Sequence, residues 1–422
     1  MTILHTNFQQ ESGYNRAAEL PAVDTPGIGK RRSEREKWSP MSKQLKVLVY
    51  GTGFAGQGHT EAFRYAGTEV AGMVGRNASV VNSVAKELGI AYTATDWQRA
   101  LIDCQPDIVA IATPGGAHVE PITQAINHGC HVFCDKPLAE TGDGAQRLHK
   151  LAEAKGVKTA FAASFRYMPH VMHAKQLVAE GRIGEPQEVE CISHFNLERD
   201  IPFGWSHRAE DGGGRLNNNF THKLSIVTSV LGDEIIAVMG DVRDDLGRAP
   251  IVHGVHNFKT RREHIPDNLA DPALKWGESN VEWSYAVLAK IASSHASKPV
   301  SVLFKHGGLT PRFHEDHIVF YGSSGAIFIE GHYGSGPLYV YGTDKTWQEL
   351  ALPAAIAALV PEVPPGQGDT ERNWRYLVRE LVNDIRGEPV QRYQTFKEGS
   401  QYQQLIDIIR QNDHWVDVSH LN

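Results

Sequence analysis

Lys46-Val47-Leu48-Val49-Tyr50, followed by Gly51-Thr52-Gly53-Phe54-Ala55-Gly56, is the stretch that decides the reading of this 422-residue chain. The run Val47 to Tyr50, β-branched and apolar, predicts a buried strand, and the segment from Ala55 to Tyr65 has helical spacing. Between them lies a glycine turn. In that context Gly51 permits the tight turn, Gly53 lets a pyrophosphate approach the backbone, and Gly56 lets helix and sheet pack closely. The helix N-terminus adds partial positive charge, so Gly51, Gly53, Phe54, Ala55 and Gly56 are expected at a dinucleotide.

About twenty residues on, a second strand ends in Gly75-Arg76-Asn77. An acidic residue there accepts hydrogen bonds from the ribose 2'-hydroxyl of NAD. A small residue followed by arginine leaves room for a 2'-phosphate and pairs with it, so NADP is the expected cofactor and NAD the alternative.

Working outward, short apolar runs alternate with amphipathic segments. Strands are expected over Lys46 to Tyr50, Glu69 to Val74, Ile108 to Ala112, His131 to Phe133 and Thr159 to Ala163. Helices are expected over Ala55 to Tyr65, Ala78 to Leu88, Trp97 to Ile102, Val119 to His128 and Gly144 to Ala154. This is the pattern of a doubly wound parallel sheet. After Arg166 a helix over Val171 to Glu180 precedes β-rich stretches at Glu188 to Phe195, Val300 to Phe304, His317 to Phe320, Ala326 to Glu330 and Leu338 to Tyr341. Helices over Glu371 to Ile385 and Gln401 to Ile409 follow. The fold class expected is α/β: residues 1–44 a polar, flexible extension, 45–165 a Rossmann dinucleotide-binding domain, and 166–422 an α+β substrate-binding and oligomerisation domain with a large, mostly antiparallel open sheet. Asp241 to Ser279 lacks clear periodicity and reads as a long insertion near the cleft.

Forty-two basic against forty-nine acidic residues give a formal charge of -7. That balance offers no electrostatic footprint for nucleic acid or an acidic membrane surface, so a small molecule is the expected partner. Four cysteines, Cys104, Cys130, Cys134 and Cys191, do not make a disulfide framework and suit a cytoplasmic setting. Cys130 and Cys134, beside His128 and His131, lack a second ligand pair at zinc spacing; His253-x-x-His256 and His314-x-x-His317 lack a third ligand, and no metal is expected. Arg31-Arg32 is followed by the polar run Ser33 to Pro40 rather than an apolar segment, which argues against export, and Met41 is a second candidate start.

Further motifs are Ile111-Ala112-Thr113-Pro114 with His118, Gly129-Cys130-His131-Val132-Phe133-Cys134-Asp135-Lys136-Pro137, Phe165-Arg166-Tyr167-Met168-Pro169, and Gly212-Gly213-Gly214-Arg215-Leu216-Asn217-Asn218-Asn219-Phe220-Thr221-His222. Together they resemble the glucose-fructose oxidoreductase, inositol dehydrogenase and rhizopine-catabolism family. The resemblance implies that Thr113, Pro114, His118, Asp135 and Lys136 lie along the cofactor, that Lys136 polarises the reacting oxygen, and that His222 moves its proton. Arg166, Tyr167, Asn218, Asn219 and His222 are candidates for the substrate. The chain departs from the family pattern at Asp135 for glutamate, Asn218 for aspartate, Phe220 for glycine and Ser225 for an acidic residue. An amide cannot stabilise imidazolium as a carboxylate would, so His222 is expected to be the weaker base.

The reaction implied is hydride transfer between nicotinamide and a secondary alcohol or ketone of a sugar, polyol or related cyclic compound, by a homodimer or homotetramer. Two alternatives are glycoside cleavage or epimerisation using a retained cofactor for transient oxidation, and a non-catalytic dinucleotide sensor.

Overall fold

The strand ahead of the glycine turn forms as expected, because Val47, Leu48 and Val49 are fully shielded between helices and can pair only with neighbouring strands. The computed structural model describes residues 44–232, 234–255, 259–311 and 315–421. Residues 1–43, including Arg31-Arg32 and Met41, and His256 and His314 lie outside the described residues.

The first half alternates β1 (Lys46–Tyr50), α1 (Phe54–Tyr65), β2 (Glu69–Val74), α2 (Ala78–Glu87), β3 (Thr93–Ala94), α3 (Trp97–Cys104), β4 (Ile108–Ile111), α4 (Val119–Asn127), β5 (His131–Cys134), α5 (Gly142–Lys155) and β6 (Thr159–Phe161). The six strands form one parallel sheet in the order β3-β2-β1-β4-β5-β6. Side chains cap three of the helices: Asn77 caps α2, Asp96 caps α3 and Thr141 caps α5. Two strands end sooner than their apolar runs suggest, β4 at Ile111 and β6 at Phe161. The residues next in line, Ala112 and Ala162, leave the sheet to line a cleft at its carboxyl edge. The two-residue β3 is too short to carry any periodicity.

The second half runs α6 (Pro169–Ala179), β7 (Pro186–His194), α7 (Thr221–Leu231), β8 (Ile235–Arg243), β9 (Arg248–Pro250), β10 (Trp276–Glu278), β11 (Ser284–Ile291), β12 (Val300–Gly307), β13 (Glu315–Gly322), β14 (Ala326–Glu330), β15 (Leu338–Tyr341), β16 (Trp347–Leu350), α8 (Ala354–Ala357), α9 (Asp369–Arg386), α10 (Phe396–Gln411) and β17 (Val416–Asp417). Nine of these strands make a sheet in the order β16-β15-β14-β13-β7-β12-β11-β8-β17, antiparallel except where β12 meets β7. Its inner face packs under α6, α7 and α10. Strand alternation exposes Leu288 and Tyr321 on the other face. The segment from Asp241 to Ser279 contributes the small β9–β10 pair and a loop that returns to the cleft at Val255 and Lys259.

The helix α7 has no apolar stripe for the sequence to reveal, because all eleven of its residues are buried. Near the C-terminus, α9 packs on α1 and α10 on α5. Trp374, Leu377 and Leu381 share a core with Val47, Phe63 and Phe133, so residues read as part of the second domain complete the first sheet's packing. From Gln44 onward the chain forms one compact unit. Among the described residues no helix is long and apolar enough to cross a membrane.

Candidate active site

The carboxyl ends of β1, β4, β5 and β6 open onto a cleft of about 480 Å³. Gly51, Gly53, Phe54 and Ala55 line one end of it. Gly51 has φ +118°, a conformation open to glycine, and a Cβ there would sit 2.5 Å from the Ala112 carbonyl oxygen. Gly56 packs against the turn itself, since its Cβ would meet the Gly51 oxygen at 2.0 Å. A Cβ on Gly53, by contrast, would meet nothing within 4 Å, so this face is open. Gly53 also caps α1 without any side-chain hydrogen bond, and no acidic residue occupies the first turn. Unpaired N–H groups at a helix start beside an open glycine face fit a dinucleotide pyrophosphate.

Arg76 is exposed and lines the same end of the cleft. Asn77, next to it, spends its side-chain oxygen on the N–H groups of Ser79 and Val80. At Gly75 a Cβ would lie 2.8 Å from the Thr52 methyl and 3.2 Å from Val81 Cβ, which leaves no room for an acidic side chain.

Thr113, Pro114, Asp135 and Lys136 line the middle of the cleft. His118 does not. It is fully buried behind the wall, with Nε2 2.7 Å from the Thr113 carbonyl and Nδ1 3.3 Å from that of Leu138. The structure therefore makes it a brace for the loop after β4 rather than a surface of the cleft. Its Nδ1 also lies 3.3 Å from Cys134 Sγ, and the four cysteines are all buried and free.

Lys136 begins a cis peptide bond to Pro137 and donates from Nζ to Asn218 Oδ1 at 2.8 Å. Burial lowers its pKa, Asp135 opposes that, and Arg215 adds to it. Asn218 stands in a π-helical turn, Leu216–Phe220, that runs directly into α7. Such turns recur at functional sites because the extra residue redirects side chains. His222 follows one turn later and lines the cleft, flanked by Phe165 with ring centres 4.7 Å apart. Burial, then Lys136, His332, Arg215 and Lys223, hold its imidazole well below the usual range. A neutral imidazole at neutral pH can accept a proton.

The departures from the family pattern have local reasons. Phe220 is fully buried, edge-on to Tyr285 and Phe304, where it seals α7 to the second sheet. Ser225 donates to the Ala163 carbonyl at 2.8 Å, tying α7 to the end of the first sheet. Three expected substrate residues lie behind the lining. Tyr167 stacks on Tyr376 and its hydroxyl accepts from the Gln394 backbone N–H. Arg166 is buried next to it. Asn219 donates to the Tyr333 hydroxyl and accepts from that of Tyr285. Polar groups near a domain junction are as apt to brace it as to face the cleft, and sequence does not separate the two.

Other lining residues were not anticipated. Trp205 stands 6.0 Å from Lys136 Nζ, Trp374 comes from α9, and Lys259 from the loop after β9. Lys259 Nζ lies 3.7 Å from the Phe54 ring centre and 3.0 Å from Glu371. These residues come from segments far apart in sequence, and only the tertiary fold joins them.

A family described as "Oxidoreductase family, NAD-binding Rossmann fold" matches residues 45–163, and the GFO/IDH/MocA C-terminal domain matches residues 171–328. Levoglucosan dehydrogenase from Pseudarthrobacter phenanthrenivorans is 25% identical over 203 residues, covering 45% of this chain and 52% of its own. The 1,5-anhydro-D-fructose reductase of Ensifer adhaerens is 30% identical over 174 residues, 41% of this chain and 52% of its own. The chain thus spans about half the length of the curated relatives it matches. Among solved structures, levoglucosan dehydrogenase in complex with NADH and L-sorbose superposes with a TM-score of 0.75 at 19% identity, over 90% of this chain and all of the other. An NAD-binding oxidoreductase from Klebsiella pneumoniae gives 0.73 at 24% identity, over 89% of this chain and 99% of its own. The two family matches cover successive segments of the chain and together most of it, and the chain belongs to the GFO/IDH/MocA family of NAD-binding oxidoreductases.

Proposed function

We propose that this protein interconverts a secondary alcohol and a ketone on a sugar, polyol or related cyclic compound, with NADP(H) preferred over NAD(H). The observation that carries the reading is that Lys136 and His222, from the two halves of the chain, line one cleft with the glycine turn. The turn and the start of α1 would hold the pyrophosphate, Thr113 and Pro114 the nicotinamide side, and Arg76 the 2'-phosphate. A bound nicotinamide supplies the acceptor or donor of hydride.

The chain's own residues supply the rest. The Lys136 ammonium, oriented by Asn218, polarises the substrate oxygen and stabilises the negative charge that develops on it. His222 accepts the hydroxyl proton in oxidation and returns it in reduction. Phe165 and Trp205 flank these two groups and exclude water. Gly75 supports the NADP preference, since its crowded Cβ position keeps a carboxylate away while Arg76 offers a guanidinium.

The names of the relatives favour net redox turnover over glycoside cleavage with a retained cofactor, and the presence of both Lys136 and His222 favours catalysis over sensing. We further read the exposed face of the nine-stranded sheet, with Leu288 and Tyr321, as the face of a homo-oligomer. A cytoplasmic setting suits the four buried thiols. The decisive experiment is native mass spectrometry for bound dinucleotide, followed by a sugar and polyol panel read at the nicotinamide absorbance. A redox-silent protein that cleaves a glycoside would replace this reading with the retained-cofactor one, and failure to bind either dinucleotide would end both.

A further inference from the structure

Beneath α7, four neighbouring strands bring polar side chains into register on the inner face of the second sheet. Ser193 on β7 is paired with His306 on β12 and Asp316 on β13, and His306 is paired with Tyr285 on β11. Each carboxylate near them is already engaged. Asp316 meets the Lys223 ammonium and accepts from His332 Nδ1 at 3.2 Å and the Tyr333 N–H at 3.3 Å. Glu282 accepts from Arg410 at 3.0 and 3.1 Å and from the Leu216 N–H at 2.8 Å. Asp135 accepts from the Lys136 backbone N–H at 2.8 Å.

Arg215 is the cation this arrangement leaves over. Its Nε donates to His306 Nε2 at 2.9 Å, and His306 Nδ1 lies 2.8 Å from Ser193 Oγ, so the ring is a neutral acceptor toward Arg215. Burial, then Arg215 and other cations, keep His306 well below its usual range, consistent with that neutral form. Among the described residues no carboxylate lies within 4 Å of the guanidinium and no other side-chain hydrogen bond reaches it. Its terminal edge, the one that forks onto oxyanions, is uncommitted.

The position is next to the chemistry. Arg215 immediately precedes the π turn that carries Asn218, and its guanidinium lies 5.7 Å from the Phe195 ring centre. Phe195 in turn is 5.1 Å from His332, whose side chain is 49% exposed, and His332 is 6.3 Å from the cleft-lining Phe165. With Asn218 in place of an aspartate, Lys136 also has a neutral partner. Lys136 lines the cleft, and half-buried Arg215 lies just behind that lining, close enough to act on both Lys136 and His222. Asp135 beside Lys136 and Glu282 near Arg215 offset part of this charge, but neither pairs with the guanidinium's terminal edge.

We propose that the substrate is an anionic carbohydrate or polyol, bearing a carboxylate or a phosphate, whose oxyanion pairs with Arg215 while its hydroxyl meets Lys136. This rests on the oxidoreductase reading above and narrows its substrate class.

The test uses the full chain saturated with NADPH, and isothermal titration with matched sets in the gluco, galacto and manno series: neutral sugar, uronate, aldonate and 6-phosphate. In at least one series an anion should bind about 10- to 100-fold more tightly than its neutral parent, as a charge-assisted bidentate pair predicts. The carboxylate and phosphate arms show which oxyanion the site takes. Arg215→Met should abolish the preference and Arg215→Lys should keep part of it, with NADPH fluorescence reporting that each variant is folded. Should Arg215→Met fail that check, Asn218→Asp should lower the anion preference by supplying a competing carboxylate. Neutral sugars that bind as well as every anion, or a preference that survives Arg215→Met, would overturn the proposal. Turnover of neutral polyols with anions ignored would sink this inference and leave the oxidoreductase reading intact; Arg215-dependent anion binding without hydride exchange would do the reverse.

Discussion

Replacing Lys136 by methionine tests the chemistry directly, because it keeps most of the stem beside Trp205 and removes only the charge. The half-buried Lys136 holds its ammonium 2.8 Å from Asn218 Oδ1, so a substrate oxygen in hydrogen-bond contact would lie about 3 Å away. Full negative charge at that distance interacts with about 5–6 kcal/mol at an effective dielectric near 20, a ceiling since only part of the charge develops. Loss of one preorganised donor elsewhere costs about 2.7–4 kcal/mol, which sets the floor. At about 1.4 kcal/mol per decade these bounds give a fall in turnover of about two to four orders of magnitude. The glycine turn and the start of α1 are untouched, so the Kd of the dinucleotide should change by less than about threefold. Single-turnover hydride transfer and NADPH fluorescence titration separate the two quantities. Turnover within tenfold of the parent, or an equal loss in Kd and rate, would refute the assignment of Lys136 to the reacting oxygen.

Asn218→Asp places a carboxylate against Lys136 and near His222, which favours the charged form of both. The rising, His222-dependent limb of kcat/KM for oxidation and the falling, Lys136-dependent limb should then both move to higher pH; limbs that stay put would show that position 218 does not reach either group. Arg76→Ala should weaken NADP binding about tenfold, the lower end for a charge-assisted pair because Arg76 is exposed, and should leave NAD nearly unchanged; equal losses would reject 2'-phosphate recognition. Lys223→Met strands Asp316, whose side chain is 2% exposed, and should cost about 3–5 kcal/mol of stability in denaturant titrations. Lys223→Met combined with Asp316→Leu should recover much of that, and a single variant within about 1 kcal/mol of the parent would contradict the pairing. Burial alone would raise the Asp316 carboxyl, but Lys223 and His332 hold it below the usual range. The stability it contributes is therefore present above the unfolded carboxyl pKa and is lost as pH falls through the lowered folded value.

By itself the sequence determined the features that rest on local physics. A buried strand, a glycine turn and a helix start follow from adjacent residues. Lys136 and His222 could be singled out because each sits in a contiguous motif, and the structure brings both to one cleft. What only the tertiary structure decided concerns surroundings. Whether Arg166, Tyr167 and Asn219 face the cleft or brace its wall depends on partners such as Tyr376, Gln394 and Tyr333, up to 227 residues away. The same holds for Lys259 and Trp374, which reach the cleft from segments with no motif, and for α7, whose complete burial erases the one-sided pattern that reveals a helix. The uncommitted edge of Arg215 is likewise invisible in sequence, because it is left only after Asp316 and Glu282 have found other partners across the fold.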